Sequence, residues 1–208
     1  MDGGSLRVRS GTTRQHFAIE RMNALTEGVY AIVLTLLVLE LKLPEGDESI
    51  LQLLADDWHV FVAWVISFAA IGRFWLVHHA ITAHLKHVDN HTLRINLAVL
   101  AAVTLMPFSA DAIGTEALDE PWSTVLFAVN VGVLSATIGL LALHAERERH
   151  LLHDEGHLPR ISRHRRAHLV VLPCVTAAAA ALAFVHPYLA VGLIMGEFLV
   201  FAWWGRSD

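Results

Sequence analysis

Cysteine is almost absent from this sequence: Cys174 is the single one in 208 residues, which excludes an intrachain disulfide. Charge is also scarce, at 17% Asp, Glu, Lys and Arg. The first twenty residues carry Arg7, Arg9 and Arg14 among Gly, Ser and Thr but have no apolar run, so a cleaved secretory signal is not expected. No low-complexity tract, internal repeat or soluble domain is evident, and nothing in the composition points to nucleic acid. What the chain has in abundance is apolar surface. It is 55% hydrophobic with a mean hydropathy of +0.51, more than one soluble domain of this size can bury.

The apolar residues fall in long blocks separated by short charged stretches. A hydrocarbon core of about 30 Å crossed by roughly 20-residue helices produces this pattern. The blocks predict one all-α transmembrane domain over residues 1–208, with six spans at about 23–43, 58–82, 93–113, 121–143, 167–185 and 187–204. Strand-like alternation is absent, and every backbone polar group in lipid must be satisfied within its own segment, so helices are the expected form. Pro44, Pro121 and Pro187 punctuate span ends, while Pro107 and Pro173 lie inside spans and predict kinks.

Orientation follows from the basic residues. Arg7, Arg9, Arg14, Arg21, Lys86, Arg94, Arg147, Arg149, Arg160, Arg163, Arg165, Arg166 and Arg206 all fall on one side. The other side has Lys42 and is lined by Glu45, Asp47, Glu48, Asp56, Asp57, Asp111, Glu116, Asp119 and Glu120. Both termini are therefore expected in the cytoplasm. Trp58, Trp122, Trp203 and Trp204 fall at span ends, where indoles prefer to sit.

On the first span, Ile32, Thr35, Leu36 and Leu39 are spaced by three and four residues and share one helix face. That face is apolar except for one hydroxyl, and periodicity alone allows it to pack against a neighbouring helix. Arg73, Glu27 and Glu197 fall about two turns from the cytoplasmic ends of their helices, and buried charge in a bilayer calls for a partner. A polar layer of Arg21, Thr26, Glu27, His78, His79 and Asn96 is expected to brace the first helix, with Arg73 paired to Glu197 or Glu27; a lone, snorkelling Arg73 is the alternative. His150, His153 and His157 follow one face near Glu146, but without a cysteine partner they are expected to form a solvated, headgroup-facing loop and not a metal site. Gly192 and Gly196, with the alanine run 177–181, predict close helix packing.

The first span resembles the opening helix of the transmembrane protein 175 family of potassium channels. Where that family has Arg-x-x-x-Phe-Ser-Asp followed by a small-residue apolar run, this sequence has Arg21, Leu25, Thr26 and Glu27, then Gly28, Ala31, Ile32, Thr35, Leu36 and Leu39. Phe74-Trp75-Leu-Val-His78-His79 resembles the family's Trp-x-x-His segment, and Asn96 with Leu105-Met-Pro107-Phe108 resembles its third-span landmarks. The resemblance implies a homotetrameric potassium-selective, or weakly selective cation, leak channel in the plasma membrane, contacting lipid and conducting monovalent cations, with K+ as the permeant ion and no cofactor. It implies that Ile32, Leu36 and Leu39 form a hydrophobic constriction about 10 Å long, with Thr35 as a selectivity layer. Such a constriction gates by dewetting, without a TVGYG filter, which this sequence lacks.

Two other function classes compete. An ion- or proton-coupled transporter would use Glu27, Glu197 and the membrane histidines as a relay, and would need discontinuous helices at the midplane, whereas the first span reads as unbroken. An intramembrane enzyme would draw on His78, His79 and Asp89, which lack a well-spaced ligand motif.

Overall fold

The computed structural model describes residues 9–41, 58–115, 120–153 and 158–204. The acidic residues Glu45, Asp47, Glu48, Asp56, Asp57, Glu116 and Asp119, together with Lys42, Arg7, Arg206, His157 and the side chains of Arg9, Arg14, Trp203 and Trp204, lie outside what is described.

Helix α1 runs Arg9–Leu36 and tightens into a 3-10 turn over Leu37–Glu40. It ends at Leu41, whose N–H bonds the Val38 carbonyl at 3.2 Å. Helix α2 covers Trp58–Thr82. The third apolar block is two helices, α3 at Asn90–Thr104 and α4 at Met106–Thr115. Pro107 explains the break: it has no N–H to offer the Val103 carbonyl, which Leu105 N–H reaches instead, together with that of Ala102. Helix α5 covers Pro121–Arg147, with Pro121 in the first turn, where a missing N–H costs nothing.

The fifth block is also compound. Helix α6 (Leu158–Arg166) leads through a π-helical segment, Ala167–Val171, into α7 (Leu172–Ala183). In the π register Leu172 N–H bonds the Ala167 carbonyl, so Pro173 is the residue that would serve the His168 carbonyl, and it has no N–H. Ser135 of α5 supplies the missing donor, its hydroxyl lying 3.1 Å from that carbonyl. The expected kinks at Pro107 and Pro173 thus take different forms, a break and a π-turn. Helix α8 covers Pro187–Trp204.

Among the described residues, five stretches are long and apolar enough to cross a membrane: Ile19–Leu39, Trp58–Thr82, Asn90–Gly114, Pro121–Arg147 and Pro159–Ala183. Helix α5 is the centre of the bundle. It packs against α3 and α4 and against α6, the π-segment and α7. Phe127, Val131, Leu134, Ile138 and Leu141 are fully buried along it. Two α5 glycines allow the closest approaches. A Cβ at Gly139 would lie 2.6 Å from Leu169 Cγ and 2.8 Å from its backbone N; one at Gly132 would lie 2.7 Å from Thr176 Oγ1.

Gly192 and Gly196 make no tight contact among the described residues, since an added Cβ meets nothing within 4 Å at either. Spacing puts small residues on one face but does not decide whether a neighbour fills it. At the bundle end that carries Arg94 and Arg147, the α2–α3 and α5–α6 connections are stitched together. Lys86 N–H donates to the Leu151 carbonyl at 2.7 Å, and His153 N–H to that of His84 at 3.0 Å. Asp89 caps α3 there, accepting from the Thr92 amide and hydroxyl at 2.7 Å each.

Candidate functional site: the two faces of the first helix

Helix α1 buries one face and leaves the opposite one uncovered among the described residues. Met22, Thr26, Tyr30, Val33 and Leu37 are buried, at spacings of three and four that keep them on one side. At roughly 100° per residue, Thr35 falls about opposite this set. Around it Ile32, Leu36 and Leu39 are 60%, 41% and 70% exposed. Among the described residues, therefore, no neighbouring helix packs over the stripe. Gly28 lies on the same side, with open space where a Cβ would go.

The 3-10 turn alters the geometry at the end of this stripe. In a 3-10 helix side chains three apart eclipse one another, so Leu39 moves toward the azimuth of Leu36 and stacks above it. The greater 3-10 rise, about 2 Å per residue, lengthens Ile32 to Leu39 to about 12 Å. The first span is thus not one unbroken α-helix. Thr35 precedes the change. Its hydroxyl donates to the Ile32 carbonyl at 2.7 Å, which spends its single proton on the helix itself and leaves the oxygen lone pairs facing the uncovered side.

The buried face is fixed by a three-residue polar chain linking α1, α2 and α3. His78 Nε2 lies 2.8 Å from Asn96 Oδ1, Asn96 Nδ2 donates to Thr26 Oγ1 at 3.0 Å, and Thr26 Oγ1 donates to the Met22 carbonyl at 2.9 Å. The separation of Thr26 Oγ1 from Asn96 Oδ1 is longer, 3.3 Å, and competes for the same hydroxyl proton. A consistent assignment makes His78 an Nε2–H donor, so that Asn96 and Thr26 each give one proton and take one. Thr26, His78 and Asn96 are all buried. The Tyr30 ring flanks His78 at 6.3 Å, with a buried hydroxyl that has no hydrogen-bond partner among the described residues.

The other residues singled out in the sequence are placed differently. Arg21, Glu27 and His79 are exposed, and His79 stacks on Trp75 with ring centroids 5.7 Å apart. Arg73 forms no ion pair with Glu197 or Glu27 among the described residues. Its guanidinium instead lies within electrostatic range of His164 and His168. Both Glu197 carboxyl oxygens are buried and unpartnered among those residues. Residue counting places Arg73 and Glu197 at similar depth, but depth does not set the azimuth from which each side chain leaves its helix.

Asp89 and His78 belong to separate networks. Asp89 faces His144, whose Nε2 is 3.1 Å from both carboxyl oxygens, with the His91 ring 5.1 Å from that of His144. Burial opposes ionisation of Asp89. Hydrogen bonds from the Thr92 amide and hydroxyl and from His144, aided by the charge of His144, outweigh it and hold the carboxyl down at about 2.

Two buried polar contacts were not anticipated from the sequence. Asn130 of α5 donates to Ser109 Oγ at 3.0 Å, and Ser109 donates to the Met106 carbonyl at 3.1 Å, bracing the α3–α4 break. Ser135 meets both the carbonyl and Nδ1 of His168. The available signal was a polar residue inside an apolar run one turn from a mid-span proline.

Known proteins align with this arrangement. Residues 21–107 match the family described as endosomal/lysosomal potassium channel TMEM175, a stretch that contains both faces of α1, His78 and Asn96. A potassium channel of Streptomyces collinus is 31% identical over 136 residues, 63% of this chain and 66% of its own length. A potassium channel of Chamaesiphon minutus is 30% identical over 192 residues, covering 88% of this chain and 92% of its own. The crystal structure of a lysosomal potassium-selective channel TMEM175 homolog from Chamaesiphon minutus superposes with a TM-score of 0.77 at 27% identity, covering 92% of this chain and 98% of that one. With near-complete alignment in sequence and in fold, this chain belongs to the TMEM175 family of potassium channels.

Proposed function

We propose that this protein is a potassium-selective leak channel of the plasma membrane, in which four copies bring the uncovered faces of α1 together around a central pathway. Each subunit then has six spans, with α8 as the sixth and both termini in the cytoplasm. The observation that carries the reading is the division of α1: one side is anchored through Thr26, Asn96 and His78, while Ile32, Thr35, Leu36 and Leu39 stand uncovered on the other. A fourfold arrangement gives that stripe a partner surface, namely its own copies.

In this arrangement the aliphatic rings exclude water when narrow and admit hydrated cations after a small widening. The Thr35 oxygen, its proton engaged by Ile32, offers acceptor density to a passing cation. Conduction follows the electrochemical gradient and needs no cofactor or coupled ion.

The decisive measurement is a bi-ionic reversal potential, recorded on purified protein in a planar bilayer. The expected result is a reversal potential set by potassium and indifferent to a proton gradient, with reduced potassium preference in T35A. A current that requires a second ion gradient would establish coupled transport instead. Unchanged permeation in I32A, T35A and L36A together would remove this face from the pathway.

A further inference from the structure

The structure assigns a second binding surface, unrelated to conduction: the outward stripe of α6 is a seat for the phosphate headgroups of anionic phospholipid. Helix α6 divides its basic residues by direction. Ile161 is fully buried, and Arg165 turns inward to an ion pair with Glu146, which also accepts from Ser162 Oγ at 3.2 Å. Arg160, Arg163 and Arg166, three apart, are exposed on the opposite side.

The same rod then enters the membrane. Its exposed side continues into Val170, Cys174 and Ala178, while Leu172, Thr176 and Ala179 turn into the bundle. Arginines that adjoin the apolar, outward side of a spanning helix stand at headgroup depth. At about 1.5 Å per residue, Arg166 lies about 6 Å and Arg163 about 10 Å beyond Val170. The interfacial layer on each side of the hydrocarbon is about 5–8 Å deep, within reach of both side chains.

Chemistry selects the occupant. A guanidinium offers a planar fork of donors that matches two phosphate oxygens, and it tolerates partial desolvation better than an ammonium. Between residues 144 and 168 six arginines stand against four acidic residues, so the net charge is positive and favours an anionic surface over a second basic one. Val170 supplies an apolar edge for the acyl chains, which a free phosphate would not use.

The test is native mass spectrometry of the full-length protein in neutral detergent doped with phosphatidylglycerol or phosphatidylcholine, with lipid adducts counted against lipid concentration. Each arginine near an anionic surface contributes about five-fold in affinity. Phosphatidylglycerol is expected to bind R160Q/R163Q/R166Q about 25-fold more weakly than wild type, and R160Q/R166Q about 5-fold more weakly, since Arg160 stands about 15 Å beyond Val170. R147Q is expected to stay within about 2-fold, and phosphatidylcholine to show no dependence on any of these changes. The double variant keeps the test intact if the triple variant is unstable. Equal losses in R147Q and R160Q/R166Q would reduce the effect to overall charge and overturn the assignment. Displacement of phosphatidylglycerol by inorganic phosphate at matching concentration would reassign the stripe to a soluble anion. Loss of the oligomer with unchanged lipid affinity would reassign it to a contact between subunits.

Discussion

Helices α1 and α5 are both long and apolar, yet the chain covers them very differently: 56% of the most apolar stretch of α5 is buried, against 28% of that of α1. Helix α5 is packed by its own subunit over more than half of that stretch, and its two close approaches, at Gly132 and Gly139, leave no room for a methyl group. Helix α1 is held on one side by a few buried side chains and one polar chain. The difference separates organising a subunit from presenting a surface. An apolar face opposite a hydrogen-bonded anchor is positioned as firmly as a core helix while remaining available to another partner.

The comparison breaks most visibly if asparagines are placed on each side of α1. V33N/L37N puts unpartnered amides into the buried face and is expected to cost about 4 kcal/mol, read as loss of a cooperative melting transition in detergent. I32N/L36N touches only the uncovered face. It is expected to melt within about 1 kcal/mol of wild type while carrying roughly ten-fold more current. If both pairs unfold the protein, the two faces are not distinct.

Two substitutions sharpen the contrast between anchor and packing. N96L strands the Thr26 and His78 groups and is expected to cost about 2 kcal/mol in the same assay. G139A forces a methyl group against Leu169 and is expected to cost a similar amount, about 1–3 kcal/mol, whereas G192A, which faces open space, stays within about 0.5 kcal/mol. Equal effects at both glycines would mean that close packing on α5 is not what distinguishes them. A smaller change follows at Tyr30, whose buried hydroxyl lacks a partner: Y30F is expected to raise stability by about 1 kcal/mol.

The smallest effect concerns pH at the α3 cap. A carboxyl held at about 2 when folded and near 4 when unfolded stabilises the fold fully above the unfolded value. That contribution is lost as pH falls toward about 2. Wild type is therefore expected to melt slightly above D89N at pH 6, with the gap closing on acidification. A gap that persists unchanged at pH 2 would argue against the ionised cap.

Much of this was legible in the residues. Long apolar runs bounded by Pro and charge marked the helices, and Thr26, His78 and Asn96 stood out as polar groups in apolar spans. The uncovered face of α1 could be listed residue by residue, but periodicity does not reveal whether a neighbour covers it. The 3-10 turn at Leu37–Glu40 left no sequence mark, because neither Gly nor Pro lies within it. The π-segment did leave a mark in Pro173, but the compensating Ser135 is 38 positions away in sequence. Arg73 and Glu197 misled because matching depths suggested a pair, while the direction of a side chain depends on packing that only the folded bundle defines.

The polar chain through Asn96 also has a polarity. Protons point from the imidazole through the amide and the threonine toward the Met22 carbonyl, and that last group only accepts. Reversing the donors would require the amide of Asn96 to turn over and His78 to take its other tautomer, so the tautomer and the amide orientation are set together. An aspartate at position 96 would have no proton for Thr26 unless its carboxyl stayed neutral, so a chemically minor exchange would tie the seat of α1 to the acidity of its surroundings.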